Sequence, residues 1–318
     1  MRITIRQAVA TGLLAMTPAL TGCLVHTRSV LKTRLPDVVY NSTLDQLLKQ
    51  VDERNAAIQS MTLYVQMSTS TGGSLQGKVK ESISFNGFIF IGKPEQINVI
   101  LTVPILGSQA LDMVSDGKTF KMLIPPKNCA IIGSDVVTNS SQKGLYSLRP
   151  AVILDSLLIQ GLQPDQVVSM TQDSRVIENP KKRKDLIQDP DYDVEFLSQP
   201  QGQIARTLHV VHIDRMNLLP WRQDIYDADG KVATQAFYSN YQKFGDINFP
   251  TKIVIQRPLD ELGLTITITK GTTFNQPLLE DQFKLDIPDT TAHVTNMDDP
   301  ANATIKDPCA AHEPQSQH

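Results

Sequence analysis

The 318-residue sequence lacks several features that would place it in a familiar class. It has no run of eighteen or more apolar residues, so no segment is expected to cross a bilayer as a helix. Its 30 lysines and arginines nearly balance 33 aspartates and glutamates, so nucleic acid is not an expected partner. With 41% hydrophobic and 20% charged residues, the chain is otherwise an ordinary globular one, with room for one large domain or two small ones.

Motifs of common enzyme classes are also missing. The sequence contains no G-x-S-x-G, no P-loop and no G-x-G-x-x-G. His209 and His212 are three residues apart in a predicted strand, which sends them to opposite faces and prevents them from sharing one ion. The segment DADG at 227–230 places its glycine too early for a calcium loop and lacks the bidentate glutamate. We therefore predict no catalytic residue, no metal site and no cofactor.

The N-terminus has the layout of an export signal. Arg2 and Arg6 form a positive region, and the apolar stretch at 8–20 is too short to cross a membrane. The stretch ends in Leu20-Thr21-Gly22-Cys23, which resembles the bacterial lipobox, where cleavage before the cysteine exposes it for acylation. We expect a lipoprotein signal peptide at 1–22 and a lipid anchor on Cys23; a secretory peptide with a nearby cysteine is the alternative.

The anchor predicts a location. Two or three acyl chains hold a protein on a membrane, because each buried CH₂ contributes about 0.8 kcal/mol and a single chain binds only marginally. Leu24 follows the cysteine where the inner-membrane retention pattern has aspartate, so we expect the outer membrane, with the chain facing the oxidising periplasm. There Cys129 and Cys309 either form a disulfide that holds the C-terminal tail or remain free thiols.

Two segments are predicted helices. The segment 41–59 has a capping box at Thr43 and Gln46 and an apolar stripe at helical spacing. The second runs from Pro150 to about Gly161 and is apolar on most sides, so it needs cover on more than one face.

Elsewhere the hydrophobic period changes to two, and turn sequences such as Gly72-Gly73 and Asp229-Gly230 separate the runs, which predicts antiparallel hairpins. A continuous meander of about a dozen strands curls under its own twist. We predict an α+β fold: a curled antiparallel sheet, or half-open barrel, with the helices packed on its concave face. This domain would occupy 43–288, between a lipidated tether at 23–42 and a polar tail at 289–318 that is mobile unless Cys309 holds it.

Three parts of the chain resemble the LolA/LolB-like superfamily of bacterial lipoproteins and lipoprotein localisation factors, and LolB most closely. ILTVPILGSQALDM (Ile100–Met113) is similar to that family's strand, proline-leucine-glycine loop and strand, and SLRPAVILDSLLIQGLQPD (Ser147–Asp165) to its inner helix. NFPTKIVIQ and FNQPLLEDQFKLDIP resemble the last strands of the wider superfamily. These segments are spread over most of 43–288.

The resemblance implies two functional features. In that family a leucine in the loop protrudes and helps insert cargo into the membrane. The matching position here is Leu106, with Ile105 as an extra residue. The alternative is that both side chains fold back into the core. An apolar cavity would bind acyl chains, and its candidate walls are Leu63, Val65, Ile83, Phe85, Val99, Leu101, Val152, Leu157 and Leu158.

The function implied is that of an outer-membrane lipoprotein that receives acylated lipoproteins or lipids and inserts them into the membrane. Its partners would be the acyl chains, the membrane reached through the anchor, and a periplasmic carrier protein. The alternative is a lipid-binding sensor or envelope scaffold with no delivery step. The basic loop 181–184 favours this alternative, whereas the apolar Ile105-Leu106 pair favours delivery.

Overall fold

The computed structural model describes residues 32–73, 76–135, 149–179, 182–302 and 307–309. These residues form a small unit, within 1–36 and 176–188, and a large unit, within 37–175 and 189–318. The predicted signal peptide and Cys23 lie outside the described residues.

Two α-helices are present in the described part of the chain, and both match predicted helices. Helix α1 spans Leu44–Ala56 and begins at the predicted capping box: Gln46 N donates to Thr43 Oγ1 at 3.3 Å, and Thr43 N donates to Gln46 Oε1 at 3.0 Å. Helix α2 spans Pro150–Leu157 and is mostly buried. Neither helix is long and apolar enough to span a membrane.

Helix α2 ends at Leu157, earlier than the sequence predicts, so Gly161 does not terminate it. The chain is already extended at Leu158. Gly161 lies against α1, where an added Cβ would stand 1.8 Å from Asp52 Oδ1. A side chain at this position would displace the Asp52 carboxylate, which accepts a hydrogen bond from Leu162 N at 3.3 Å.

The strands account for most of the rest of the described chain. They are β1 (Thr33–Arg34), β2 (Ser60–Gly73), β3 (Lys78–Glu81), β4 (Phe85–Gly92), β5 (Gln96–Thr102), β6 (Gln109–Ser115), β7 (Thr119–Ile124), β8 (Cys129–Ser134), β9 (Gln166–Asn179), β10 (Lys182–Ser198), β11 (Thr207–Asp214), β12 (Leu219–Tyr226), β13 (Val232–Phe244), β14 (Ile247–Arg257), β15 (Leu262–Ile268), β16 (Thr273–Phe274) and β17 (His293–Asn296).

Antiparallel pairs join the strands of the large unit in the order β10-β11-β12-β13-β14-β15-β2-β4-β5-β6-β7-β8. β9 pairs with β10 at one end, and β17 adds in parallel to β8 at the other. Side chains from β2, β5, β8, β14 and α2 share one buried core, which requires the sheet to curl. This is the predicted α+β half-barrel architecture.

A second, smaller core lies beneath α1. Leu47 and Val51 of the helix are buried against Tyr192, Phe196 and Val211 of β10 and β11. The apolar stripe of α1 therefore covers the inner face at the β10–β11 end of the sheet, while α2 covers the main core.

The ordered body extends beyond the predicted domain bounds at both ends. Before α1, Tyr40 N donates to Arg215 O at 2.7 Å, and Ser42 N donates to the Tyr192 hydroxyl at 3.0 Å. After residue 288, β17 pairs with β8 although its sequence carries no clear strand pattern. Within the small unit, β1 pairs in parallel with Leu186 and Ile187 of β10.

Candidate functional site: an apolar cavity beside an exposed loop

The large unit contains an apolar cavity of about 230 Å³, which we name cavity A. Inward-facing side chains of the strands β2, β4, β5, β6, β7 and β15 enclose it together with one residue of α2. The lining residues are Met67, Thr69, Phe85, Val99, Leu101, Ala110, Leu111, Met113, Met122, Ile124, Lys127, Ile153 and Leu264.

Three methionines give the wall of cavity A an adaptable character. Met67, Met113 and Met122 are all buried. Unbranched thioether side chains fill irregular gaps and can change conformation with the contents of a site. The charged residue of the lining, Lys127, is half exposed and has its Nζ 3.1 Å from Asp307 Oδ2, so it belongs to the rim.

The loop 103–108 connects β5 and β6, two strands that wall cavity A through Leu101, Ala110 and Leu111. At its tip, Ile105 is fully exposed and Leu106 is 78% exposed. The predicted tip residues therefore project into solvent, next in the chain to the cavity wall.

The loop is held by its own backbone hydrogen bonds. Leu106 N donates to Pro104 O at 2.8 Å and Gly107 N to Val103 O at 3.0 Å. Ile105, at the centre of the tight turn, has φ of +70°. A β-branched residue is strongly disfavoured there, because its Cβ approaches the following carbonyl. The loop thus keeps an apolar side chain both strained and in water, a combination that marks functional sites.

The structure places the other predicted cavity residues in different surroundings: some line cavity A, some line a second cavity, and some line neither. Phe85, Val99 and Leu101 line cavity A. Leu157 and Leu158 line a separate space of about 330 Å³, cavity B, between α1, α2 and the β13–β14 hairpin.

Four predicted residues line neither cavity. Leu63 and Val65 are buried in the main core, and Val152 packs on it. Ile83 is 64% exposed and lies between β3 and β4. The hydrophobic alternation of 78–92 is typical of one long strand, but the structure divides it into β3 and β4. Between them Ser82 N donates to Thr69 O, and Ile83 no longer shares the inward face.

The sequence did not predict several residues that line cavity A, because their position at the cavity depends on the register between neighbouring strands. Val99 pairs with Met113 and Met113 pairs with Met122, which places three side chains in one row. The alternation within β6 and β7 was visible in sequence. Which of its two faces meets Val99 depends on the register of the hairpins.

Cys129 and Cys309, whose pairing the sequence left open, form a disulfide with Cα atoms 5.4 Å apart. Thr295 Oγ1 of β17 donates to Pro308 O at 2.7 Å. These contacts fasten residues 307–309 against β8 and β17, beside the rim residue Lys127.

A charged cluster on β10–β12 was not anticipated from the sequence. Burial would lower the pKa of His212, but its hydrogen bond to Asp193 and the nearby carboxylate of Asp224 outweigh that effect and raise the pKa to about 9. Asp191, Asp193 and His212 place potential ligand atoms within 4.8 Å of one another. In the absence of a metal ion, the protonated imidazole forms ion pairs with Asp193 and Asp224 at neutral pH, and a metal ion would have to displace its proton.

His209 lies on the other face of β11, as the spacing predicts. Its ring stacks on Phe196 with centroids 4.1 Å apart. Burial lowers the pKa of His209 to about 4, so it stays neutral.

A family model described as an uncharacterized protein matches residues 188–286, about a third of the chain. No curated protein matches the sequence. Among solved structures, a LolA superfamily protein from Nitrosomonas europaea is 13% identical, with a TM-score of 0.49 over 77% of this chain and 99% of that chain. A DUF1329 family protein from Desulfovibrio piger is 15% identical, with a TM-score of 0.47 over 75% of this chain and 94% of that one.

A third structure is described as a putative outer membrane lipoprotein-sorting protein domain from Vibrio parahaemolyticus. It is 10% identical, with a TM-score of 0.45, over 75% of this chain and 94% of that one.

Proposed function

We propose that this protein binds acyl chains of lipoproteins or lipids in cavity A and passes them to a membrane at the loop 103–108. One observation carries the proposal: the two strands that wall an apolar cavity are joined by a loop with two exposed apolar side chains, Ile105 and Leu106. The protein is then a binding and transfer protein rather than an enzyme.

The size of cavity A suits a ligand that must leave again. Its 230 Å³ is below the roughly 300–1,000 Å³ of most small-molecule sites, so it encloses only part of a long acyl chain. Each CH₂ that it buries contributes about 0.8 kcal/mol. Partial burial therefore holds the chain without trapping it, and the methionine side chains can adjust the space.

The loop supplies a weak membrane contact. Burial of a side chain such as isoleucine or leucine contributes about 1.5–3 kcal/mol, so Ile105 and Leu106 together give a reversible insertion. Durable attachment would come from acylation of Cys23, at the outer membrane and facing the periplasm. The Cys129–Cys309 disulfide is typical of proteins in such an oxidising compartment and supports this location.

The loop is tested by substituting Leu106→Glu in a Cys23→Ala background. The assay follows transfer of a fluorescent triacylated lipopeptide from the protein to vesicles of phosphatidylethanolamine and phosphatidylglycerol. We expect unchanged loading but slower transfer, because the charged tip resists entry into the bilayer. Leu279→Glu is the matched control, since Leu279 is similarly exposed at 71% and lies outside the loop.

Loading is tested separately with Ala110→Phe, which would fill cavity A from β6. We expect loss of bound lipopeptide in native mass spectrometry while the cooperative unfolding transition is kept. If Leu106→Glu transfers as fast as the parent protein, the delivery step is wrong. If loading is normal in that case, the lipid-binding sensor or scaffold is favoured.

A further inference from the structure

Cavity B carries a half-buried cationic side chain beside a mainly apolar wall, whereas the charged residue of cavity A, Lys127, lies at the rim and is paired with Asp307. Its volume of about 330 Å³ lies between the last turn of α1, the end of α2 and the β13–β14 hairpin. Val51, Ile58, Leu157, Ile247 and Phe249 supply apolar surface. Arg54, in the last turn of α1, lines the same space.

The guanidinium of Arg54 is unpaired within the part of the chain that the structure describes. Although half-buried, it makes no hydrogen bond or ion pair to any residue that the structure describes. Arginines elsewhere in the large unit are paired: Arg175 with Asp189, Arg222 with Asp224 and Arg257 with Asp260. A guanidinium removed from water without a counter-charge is costly, so this position favours an anion.

The acidic groups around cavity B do not serve as that counter-charge. Glu53 is exposed and its Oε1 lies 3.7 Å from Lys49 Nζ. Asp246 is exposed on the rim and forms no ion pair with Arg54 in the described part of the chain. Burial lowers the pKa of Arg54, while the nearby Tyr241 acts in the opposite direction.

The two tyrosine hydroxyls of the wall are satisfied within the protein. The Tyr241 hydroxyl donates to Pro220 O at 2.7 Å, and the Tyr238 hydroxyl donates to Gln223 Oε1 at 2.9 Å. Arg54 is therefore the cationic group of this wall, and its guanidinium has hydrogen bonds still to give.

We propose that cavity B is a second ligand site, which binds a single-chain anionic amphiphile with its carboxylate or phosphate head on Arg54. The planar guanidinium can bind either head with two parallel hydrogen bonds. The chain would lie along the apolar wall, and the volume falls within the usual range of small-molecule sites. The site is separate from cavity A, to which α2 contributes Ile153 instead of Leu157.

The test measures binding of dodecanoate, dodecyl phosphate and dodecanol by isothermal titration to the full chain carrying Cys23→Ala. These probes share one chain length and differ in the head, and inorganic phosphate alone tests the head without a chain. Arg54→Gln removes the charge. Ala57→Phe would fill cavity B from its rim, and Ala110→Phe fills cavity A as the matched control.

We expect both anionic amphiphiles to bind the parent protein, and dodecanol to bind at least about tenfold more weakly, which is about 1.4 kcal/mol. Arg54→Gln should remove that preference without changing the unfolding temperature. Ala57→Phe should abolish binding, and Ala110→Phe should preserve it. Preference for dodecanoate over dodecyl phosphate would identify a fatty acid as the ligand, and the reverse a phosphate-headed lipid.

Two results would overturn the proposal: equal binding of dodecanol and dodecanoate, or an unchanged affinity for dodecanoate in Arg54→Gln. Binding of inorganic phosphate alone as tightly as dodecyl phosphate would also do so, because the apolar wall would then have no role. If binding is lost in Ala110→Phe but kept in Ala57→Phe, the ligand occupies cavity A; the acyl-binding proposal then stands and the cavity B proposal fails.

Discussion

The Nδ1 atom of His212 lies 2.6 Å from Oδ1 of Asp193, its direct partner across the β10–β11 pair. On its other side, Nε2 is 3.5 Å from Oδ2 of Asp224 on β12. Arg222 Nε donates to the same Asp224 carboxylate at 2.7 Å. A histidine between two carboxylates is stabilised in its charged form, so three neighbouring strands are linked by a cation whose presence depends on pH.

His212 should therefore make the protein less stable at alkaline pH. Its folded pKa of about 9 exceeds the unfolded value near 6.5, so the folded state holds the proton more tightly. The stabilisation is complete below pH 6.5 and is lost as pH rises through about 9, with a full size of about 3 kcal/mol. Urea unfolding across this window measures it. His212→Asn should flatten the decline; an equal decline in the variant would assign it to other groups.

His209 should produce the opposite slope on the acid side. Its folded pKa of about 4 is below the unfolded value, so the unfolded state binds the proton more tightly. Its contribution is present above about pH 6.5 and is lost as pH falls towards 4. His209→Phe keeps a ring against Phe196 and should reduce the loss of stability between these pH values. A steeper acid loss in this variant would contradict the assignment.

Ile105→Gly should stabilise the fold while weakening delivery. Glycine adopts a positive φ freely, so the substitution removes about 1–2 kcal/mol of backbone strain from the folded state. The greater conformational freedom of glycine in the unfolded chain offsets about 0.4–1 kcal/mol of that gain. We expect a small net gain in urea unfolding and slower lipopeptide transfer to vesicles. Leu106→Gly is the control, because Leu106 has no positive φ to relieve and should give no gain. A loss of stability in Ile105→Gly would show that the turn is unstrained.

Removal of the Cys129–Cys309 disulfide should destabilise the large unit markedly. The bond closes a loop with a sequence separation of 180 residues, so it restricts the unfolded chain strongly. The double substitution to serine should cost about 2–5 kcal/mol in the free energy of unfolding. A reductant should shift the parent protein in the same direction and leave the double variant unchanged. Equal unfolding curves for oxidised and reduced parent protein would contradict this prediction.

Local features of this protein could be predicted from the sequence alone. The capping box of Thr43 and Gln46 and the apolar stripe of α1 depend on residues three or four apart, and the structure contains both. The short connections between alternating runs indicated an antiparallel meander, and its twist implied the curl. The apolar pair Ile105-Leu106 was singled out through the resemblance of Ile100–Met113 to the loop of the LolA/LolB-like superfamily.

Tertiary structure decided which apolar residues surround a space and which fill the core. Leu63 and Phe85 have the same alternating pattern in sequence, yet one is core and the other lines cavity A. The difference arises from strand register and from the position of α2, which depend on residues far apart in the chain. The lack of a partner for Arg54 among the described residues and the pairing of His212 with Asp193 also depend on the tertiary structure. Electrostatic interactions depend on distances in space, and the local sequence does not determine these distances.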